Sequence, residues 1–575
     1  MSLNWKRESR LKHSLRPTLT PLVAGAAAYA RLNAAGRATL ARETAATVAT
    51  AAAAWVRAAA TMKLGGEAGG GGSPQTIIAE EMATGPLSTL RLLAITAWAW
   101  EEIGRSGRPR PARPPWVSHA AGGPDGPASF ISVDVLPERR LFDRAIFGGH
   151  TATVRCVNPG SVPAFLESWE AEAATRPRSG GVAAVLGAGN VTGLAPADAI
   201  SQVFEHGRAA LLKLHPLHAP LAPVYREAFA PLLDAGLMAI VVGGTELAEE
   251  AIAEPAVTHV HLTGGQAAFD AVVWGGPGPQ PPGGRPLLAK PITCELGNVT
   301  PWIVVPGRYT PTQLRHQADL VAASIANNTS FNCIATKVLV TCRQWEQRSE
   351  FLRLVAARLA SLPARPAWFP GSRQAWEAAT GRPAAADGML PCVLVPECDA
   401  ADRRLLDREW FVPVAAEVCL DAGDSETFCI RASEFVRSLP GSLAASVTIP
   451  RSLTPQDSRR ADLLVEHLRY GVVAVNTWAA IAYAVGSVPW GGYPGGTLAD
   501  PASGIGHVHD PLLLPLVHNS ILRAPLATRL TPAWVPWHAG GDRLAQGVVE
   551  MIAAIVRGRS GFSQLARMIP AVLTG

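Results

Sequence analysis

The spacing of hydrophobic residues along the chain changes near residue 181. From there, four short apolar segments are separated by stretches of helix length: V-A-A-V-L, A-L-L-K-L, M-A-I-V-V and H-V-H-L-T. Strands that alternate with helices in this way form βαβ units, whose strands lie parallel in one sheet. The pattern therefore predicts a doubly wound α/β domain over residues 181–289, with a ligand crevice at the carboxyl ends of its strands.

The segment before this domain has a different pattern. Residues 20–62 are rich in Ala, Arg and Leu, which favour helix, and the pattern stops at the glycine-rich segment 65–74. A second helical pattern over 87–103 is followed by a loop rich in Pro, Arg and Gly over 104–127. We predict an N-terminal helical region with a Gly-rich linker over residues 1–128.

The remaining patterns lie on either side of the central part of the chain. S-F-I-S-V-D-V-L and T-A-T-V-R-C-V alternate like strands and predict a strand-rich arm over 129–180. Within residues 532–575, apolar residues recur at helical spacing with Arg on the opposite face. We expect this tail to form helices that dock on the same chain or on a second subunit, and peripheral contact with a membrane surface is the alternative.

Composition narrows the class of protein. The chain has 575 residues, of which 48% are hydrophobic and 17% are charged, so it can fold into several globular domains. The net charge of +5 is small, and no aromatic residues interleave with a basic cluster, so we expect no nucleic-acid partner. The eight cysteines form no C-x-x-C pair and no metal-ligand spacing. We therefore expect free thiols, no bound metal and a reducing, cytoplasmic location.

The sequence also argues against insertion into a membrane. No segment reaches the roughly 18 uncharged apolar residues that a spanning helix needs. The basic N-terminus leads into an alanine-rich run interrupted by Arg and Glu, which is not the apolar core of a signal peptide. We expect no transmembrane segment.

Residues 290–337 contain the side chains best suited to covalent catalysis. Glu295 lies in a tight C-E-L-G-N turn, and Cys333 follows the polar loop N-N-T-S-F-N, a poor place for passive core packing. The strand-like and helix-like segments between them could bring both side chains to one pocket. A thiol nucleophile beside a carboxylate base is suited to thioester chemistry.

This stretch resembles the aldehyde dehydrogenase superfamily. In that family a K-P-x-x-x-E-L-G-G motif carries the general base, and a later N-x-G-Q-x-C-x-A motif carries the nucleophile. The residues that match the two motifs are Lys290, Pro291, Glu295, Leu296, Gly297, Asn328, Cys333 and Ala335. Asn298 replaces the last glycine of the first motif, and Ser330 and Phe331 replace the Gly and Gln of the second. The resemblance implies that Cys333 is the nucleophile and that Glu295 activates water.

Further matches follow in the family's order between residues 180 and 525. Asn190, in G-A-G-N-V-T-G, matches the asparagine of the family's P-W-N-F-P turn, which binds the oxyanion. Lys213, in K-L-H-P, matches the lysine that reaches the adenosine ribose of NAD or NADP. Pro216 replaces the glutamate that excludes a 2′-phosphate in the family, so with His215 and His218 nearby we expect either NAD or NADP. A surface role for these two histidines is the alternative.

The resemblance extends to the pyrophosphate and nicotinamide ends of the cofactor. Gly264 and Gly265, in L-T-G-G, resemble the F-T-G-S turn beneath the pyrophosphate. Glu409 and Phe411, in E-W-F-V-P, resemble E-I-F-G-P, whose glutamate holds the nicotinamide ribose and whose phenylalanine packs beside the ring. The segment V-P-W-G-G-Y over 488–493 resembles the family's P-F-G-G-x-K region.

The resemblance implies an α/β fold with a Rossmann-type cofactor domain and a strand-built oligomerisation arm. An α/β catalytic domain is expected over residues 290–484, and 485–531 are expected to return to the arm and the cofactor domain. A homodimer or homotetramer is the expected assembly.

Three functions stay open on the sequence alone. The first is NAD(P)-dependent oxidation of an aldehyde to a carboxylic acid, which the retained Glu295 favours. The second is CoA-dependent interconversion of an acyl-CoA and an aldehyde, since the A-G-N-V turn resembles fatty-acyl reductases of the same superfamily. The third is an inactive nucleotide-binding scaffold, which the lost Gly and Gln before Cys333 favour.

Overall fold

The computed structural model describes residues 15–65, 74–123, 126–138, 143–178, 180–276 and 284–573. Most of the predicted Gly-rich linker at 65–74 lies outside the described residues. The same holds for most of the segment G-G-P-G-P-Q-P-P-G-G at 275–284, whose composition predicts a surface loop.

The N-terminal helices cover one face of the cofactor-type domain. They are α1 (Arg16–Arg31), α2 (Ala34–Lys63), α3 (Pro74–Met82) and α4 (Ser88–Ser106), with a π-helical turn, Ala83–Leu87, between the last two. The side chain of Asn33 caps α2 by accepting from the Gly36 N–H, and Gly107 ends α4 in the left-handed conformation. The π-helical turn approaches the next domain closely, because a Cβ on Gly193 would lie 2.2 Å from the carbonyl oxygen of Thr84.

Strands lie in the segment where the arm is predicted, and the first of them starts earlier than expected. Its elements, with the helices beside them, are β1 (Trp116–Gly123), β2 (Gly126–Leu136), α5 (Asp143–Ile146), β3 (Thr151–Val157) and α6 (Val162–Thr175). β1 falls within the segment 104–127, which the sequence predicts as a loop. That prediction is wrong for β1, because the surrounding Pro, Arg and Gly residues are typical of loops and outweigh the short alternating segment W-V-S-H. The three strands are antiparallel, with Ile131 opposite both Val117 and Cys156.

The α/β pattern after residue 181 forms the predicted parallel sheet. Its elements are β4 (Val182–Leu186), α7 (Leu194–Phe204), β5 (Ala209–Leu214), α8 (Ala222–Ala228), α9 (Ala230–Asp234), β6 (Met238–Val242), α10 (Thr245–Ala253), β7 (Val257–Thr263), α11 (Gln266–Trp274) and β8 (Ile292–Glu295). The strand order is β17-β8-β7-β4-β5-β6. The pairs from β8 to β6 are parallel, and the late strand β17 (Gly504–Ile505) lies antiparallel to β8. β8 belongs to this sheet, so the segment predicted to begin the catalytic domain first completes the cofactor-type sheet.

Helix α7 is buried along its whole length. A helix that is buried on every side needs cover on the face that points away from its sheet. The N-terminal helices supply that cover, since α4 packs on α7. The N-terminal region is therefore an integral layer of this domain.

The second large sheet contains the catalytic-type strands and the arm together. The elements of this part of the chain are β9 (Pro301–Val304), α12 (Pro311–Ala326), β10 (Val338–Cys342), α13 (Arg348–Ala360), β11 (Arg365–Pro366), α14 (Ser372–Thr380), β12 (Met389–Leu390), β13 (Val393–Cys398), β14 (Val414–Leu420), α15 (Ser425–Arg437), β15 (Ala444–Thr448), α16 (Pro455–His467), β16 (Val472–Val475), α17 (Ala480–Val485), β17 (Gly504–Ile505) and β18 (Val517–Arg523). The sheet order is β1-β2-β3-β18-β16-β15-β9-β10-β14-β13. β18 lies parallel to β16 and antiparallel to β3, so it joins the arm to the catalytic-type strands of the same chain.

The C-terminal tail forms the predicted helices α18 (Gly541–Val556) and α19 (Phe562–Leu573). α18 packs against α3, α2 and α4, as expected for docking on the same chain. Among the described residues, none of the helices combines the length and hydropathy needed to cross a membrane.

Candidate active site

Glu295 ends β8 at the carboxyl edge of the cofactor-type sheet. It lies opposite Thr263 of β7, and its carbonyl oxygen accepts a hydrogen bond from the Gly264 N–H at 3.0 Å. Gly297 follows in the turn, where a Cβ would lie 2.2 Å from Oε2 of Glu409. The glycine of the predicted C-E-L-G-N turn therefore lets two carboxylate-bearing segments meet.

The loop before Cys333 has an unusual backbone. Asn328, Thr329 and Ser330 have φ angles of 51°, 56° and 62°, in the left-handed region. This region disfavours residues with a Cβ by roughly 1–2 kcal/mol each, although asparagine tolerates it better. Ser330 stands where the family motif has glycine, which adopts this conformation without strain. Contacts from outside the loop must therefore hold this backbone in place.

The structure brings the predicted nucleophile and base together. Sγ of Cys333 donates to Oε1 of Glu295 at 3.4 Å, within reach for a thiol–carboxylate hydrogen bond. The Cys333 side chain is only partly buried by surface area, and the Glu295 side chain is 2% exposed. Oε2 of Glu295 is buried and has no hydrogen-bond partner of standard geometry among the described residues, although the Trp490 side chain is near enough to favour the ionised carboxylate.

Both groups hold their protons more tightly than usual. Burial, with the charge of Asp198, raises the pKa of Glu295 to about 7. Burial, with the charges of Glu295 and Glu409, raises the pKa of the Cys333 thiol well above its usual value. A free thiolate is therefore disfavoured at neutral pH, and the thiol depends on a nearby base to lose its proton.

Asn190 contacts the loop that carries the thiol. Its Nδ2 donates to the Phe331 carbonyl at 3.2 Å, and its own carbonyl accepts from Nδ2 of Asn328 at 2.9 Å. Gly189 lets this turn pass beneath a histidine ring, since a Cβ there would lie 2.4 Å from Nδ1 of His215. The turn after β4 and the nucleophile loop are thus tied together directly.

Four predicted cofactor residues lie at the same carboxyl edge of the sheet. Lys213, near the end of β5, is partly buried, and burial lowers its pKa. His215 accepts from the Leu217 N–H and stacks loosely on Phe369, with ring centroids 6.3 Å apart. Gly264 and Gly265 lead into α11, and a Cβ on Gly265 would meet no atom within 4 Å. The first turn of α11 is therefore open, as binding of an anion there requires.

Glu409 and Phe411 come to this region from the catalytic-type sheet. Burial raises the pKa of Glu409, although the charge of Lys337 opposes it, and Oε1 of Glu409 is buried without a partner among the described residues. Phe411 packs on Phe331 and Phe369, with ring centroids 6.0 Å and 5.0 Å apart. The aromatic side chain at position 331, where the family motif has Gln, is thus absorbed into an aromatic cluster.

The sequence interpretation missed Lys337, four residues after the thiol. Its Nζ donates to Oγ of Ser330 at 2.7 Å and to the Val412 carbonyl at 3.0 Å. A lysine within an otherwise apolar segment, A-T-K-V-L-V, was the available signal. It ties the nucleophile loop to the segment that carries Phe411.

A second missed group lies close to Glu295. Asp198 of α7 accepts from Oγ1 of Thr263 at 2.8 Å, and Nε2 of His509 and Nε2 of His261 lie 3.2 Å and 3.5 Å from its oxygens. Burial raises the pKa of Asp198, but the two histidines outweigh this effect and lower it. A lone acid in the apolar pattern of α7 was the signal in the sequence, and its partners are too distant along the chain to be predicted.

Comparison with known proteins agrees with this geometry. The aldehyde dehydrogenase family model matches residues 151–373, which include Asn190, Glu295 and Cys333. Comparison with curated proteins gives no match.

Solved structures share the fold at low sequence identity. The P. syringae indole-3-acetaldehyde dehydrogenase AldA, a mutant in complex with NAD+ and IAA, has 17% identity and a TM-score of 0.55, over 88% of each chain. A mutant of aldehyde dehydrogenase AldC from Pseudomonas syringae, with NAD+ and octanal, has 15% identity and a TM-score of 0.57, over 89% of each chain. Betaine aldehyde dehydrogenase from Staphylococcus aureus, in complex with NAD+, has 14% identity and a TM-score of 0.56, over 88% of this chain and 87% of that one. Residues 151–373 therefore match the aldehyde dehydrogenase family, and the chain shares the fold of these aldehyde dehydrogenase structures.

Proposed function

We propose that this protein oxidises an aldehyde to a carboxylic acid with NAD or NADP, through a covalent intermediate on Cys333. The observation that supports this proposal most strongly is the 3.4 Å contact between Sγ of Cys333 and Oε1 of Glu295. Two side chains 38 residues apart, one at the end of β8 and one in the loop before β10, meet as nucleophile and base.

In the proposed reaction, Glu295 first takes the proton from the thiol as sulfur attacks the carbonyl carbon. A carboxylate whose pKa is about 7 is a stronger base than an ordinary one, and about half of it is ionised at neutral pH. Attack forms a C–S bond and leaves a negative charge on the former carbonyl oxygen. The Asn190 amide, which has a second N–H besides the one bound to Phe331, and the Cys333 N–H are the proposed donors to that oxygen.

Collapse of this thiohemiacetal gives a thioester on Cys333 when hydride leaves the carbon. A bound nicotinamide supplies the acceptor for that hydride. Glu295 passes the thiol proton to solvent, which is the proton released in the overall oxidation, and then takes a proton from water, whose oxygen attacks the thioester carbon. The C–S bond breaks, the carboxylic acid leaves, and the sulfur takes the proton back from Glu295.

The residues at the carboxyl edge of the sheet fit a dinucleotide. The open first turn of α11 at Gly265 accommodates a pyrophosphate, and Lys213 lies where it can meet a ribose or a 2′-phosphate. Oε1 of Glu409, which is buried without a partner among the described residues, would accept from a ribose hydroxyl. Because proline stands at position 216, we propose that both NAD and NADP are accepted.

Water is proposed as the acyl acceptor rather than CoA. Glu295 is retained and lies beside the sulfur, and its Oε2 has no partner among the described residues, so it can bind a water molecule. An enzyme that passes its acyl group to CoA needs no base to activate water. Release of acid in the absence of CoA tests this assignment.

The test of the proposed function is a cofactor-reduction screen with aliphatic, aromatic and semialdehyde substrates, run with NAD and with NADP. Cys333→Ser should abolish activity, whereas Cys419→Ser, which changes another partly exposed thiol, should leave kcat unchanged. Acid formed without CoA supports hydrolysis. Turnover that requires CoA would instead show that the acyl group is transferred from Cys333 to CoA. The proposal would be overturned if the wild-type protein reduced neither cofactor and iodoacetamide labelled Cys333 no faster than it labels Cys419.

A further inference from the structure

Helix α2 ends with a lysine that is almost completely buried. Lys63 is 3% exposed, forms an ion pair with Glu81 of the α3 segment and donates to Oδ1 of Asn328 at 2.6 Å. Its Nζ also lies 4.7 Å from the ring centroid of Trp368. Lysine is rarely buried to this degree unless it is paired, so these contacts specify one position for its ammonium group.

The other oxygen of Glu81 reaches the turn that carries Asn190. It accepts from Oγ1 of Thr192 at 2.8 Å, and the same hydroxyl oxygen accepts from the Trp55 indole at 2.9 Å. The Thr192 carbonyl in turn accepts from the Tyr225 hydroxyl at 2.7 Å. Thr192 is two residues from Asn190, so the N-terminal helices fix the turn proposed to bind the oxyanion.

A second ion pair holds the same loop through its backbone. Glu80 accepts from the Asn328 N–H at 3.3 Å and from Nη1 of Arg365 at 2.7 Å. The cluster therefore contains two acidic and two basic side chains, and their charges balance. Asn328 is bound at its side chain by Lys63 and at its backbone by Glu80.

This cluster lies where the nucleophile loop departs from the family motif. Asn328, Thr329 and Ser330 are all left-handed, and the glycine that would relieve the strain at position 330 is absent. The loop begins at Asn328, so the ties to Lys63 and Glu80 oppose its relaxation to a right-handed backbone. Relaxation would carry Cys333, only three residues beyond Ser330, away from Glu295.

We propose that Lys63 and Glu81 are positioning residues that hold the nucleophile loop and the oxyanion turn in their reactive arrangement. This rests on the function proposed above, and it makes the N-terminal helical layer part of what the reaction requires. Neither side chain is assigned any contact with substrate or cofactor. Their effect is on the placement of Cys333 and Asn190.

The test compares Lys63→Met, which keeps length but removes charge, with Arg42→Met in the same helix. Arg42 pairs with Glu101 of α4, is 36% exposed and lies away from the loop, so it is a matched control. Three quantities are measured: amide hydrogen exchange of residues 327–333, the rate at which iodoacetamide labels Cys333, and kcat and KM. If Lys63→Met does not fold, Glu81→Gln, which keeps the size of the side chain, replaces it.

We expect Lys63→Met to speed exchange in 327–333 and to lower both kcat and the labelling rate roughly 10-fold to 100-fold, with KM little changed. Arg42→Met should leave all three as in the wild type. Lys63→Arg should restore part of kcat. Loop exchange that is equal in the Lys63→Met and Arg42→Met proteins would overturn the proposal. If Cys333 of the wild-type protein did not react with iodoacetamide, that result would refute the proposed function. The comparison of amide exchange between Lys63→Met and Arg42→Met would still decide the role of Lys63.

Discussion

Replacing Glu295 by Gln removes the proposed base and keeps the size of its side chain. The carboxyl pKa of about 7 means that roughly half of the protein carries the base at pH 7 and roughly a tenth at pH 6. The wild-type rate should therefore rise with pH, by about tenfold per unit below 7, and level off above it. Burial and Asp198 both disfavour the ionised carboxylate, so the inflection lies above that of an exposed glutamate.

Glu295→Gln should lower kcat roughly 10²–10⁴-fold, which is the usual contribution of a positioned base. The small residual rate should lose the inflection near pH 7. The amide that replaces the carboxylate cannot activate water, so the thioester should outlive each turnover. Intact-protein mass spectrometry should then show one acyl group attached at Cys333 after mixing with aldehyde and cofactor.

Stopped-flow absorbance of the reduced cofactor, across pH 5.5 to 9, measures these rates, and cofactor affinity from protein fluorescence is the control. That affinity should match the wild type, because the Glu295 side chain contacts the Cys333 thiol and none of the described residues predicted to bind the cofactor is hydrogen-bonded to that side chain. A variant with kcat within threefold of the wild type, or with an unchanged inflection near pH 7, would show that another group supplies the base.

Two further substitutions test the packing around this site. Gly297→Ala places a Cβ 2.2 Å from Oε2 of Glu409, so it should displace that carboxylate and weaken cofactor binding about tenfold, or ~1.4 kcal/mol. Calorimetry should show little change in the melting temperature. An unchanged Kd for the cofactor would argue against a cofactor role for Glu409. Asp198→Asn removes the buried carboxylate that contacts Nε2 of His509 at 3.2 Å, and it should lower the free energy of unfolding by about 3 kcal/mol in urea titrations at pH 7. A loss under 1 kcal/mol would mean that this contact contributes little to stability.

Most of the fold could be predicted from the spacing of hydrophobic and polar residues within short segments of the chain. The strands of the cofactor-type sheet appear as apolar runs because helices cover both of their faces, and helix-length segments separate them. The arm strands appear as alternation because part of one face is exposed. β1 was missed because its residues Trp116–Gly123 follow a Pro/Arg segment and contain glycines, which are typical of loops. The sequence could not show that β18 joins the arm to the catalytic-type strands, since this pairing depends on the folded chain as a whole.

The residues of the candidate site show the same difference between what neighbouring residues predict and what only the folded chain reveals. Glu295 and Cys333 could be predicted because each lies in a short motif whose chemistry depends on residue type, and the structure brings them together. Asp198 and Lys63 could not be predicted, because each acts through a partner more than 250 residues away in the chain, His509 or Asn328. The sequence alone does not show that a charged residue is buried, because burial of the charge depends on a partner that only the structure identifies.

The departures from the family motif at Ser330 and Phe331 illustrate why a motif alone is an incomplete guide. Read as a sequence, the loss of Gly and Gln favours an inactive scaffold. In the folded chain, Phe331 packs into an aromatic cluster, and Oγ of Ser330 accepts from the buried Lys337 ammonium while its backbone stays left-handed. A scaffold freed from catalysis would have no need to keep such a strained backbone beside a thiol. That the strain persists, with Lys63 bound to the first strained residue, argues that the loop geometry is still under functional constraint.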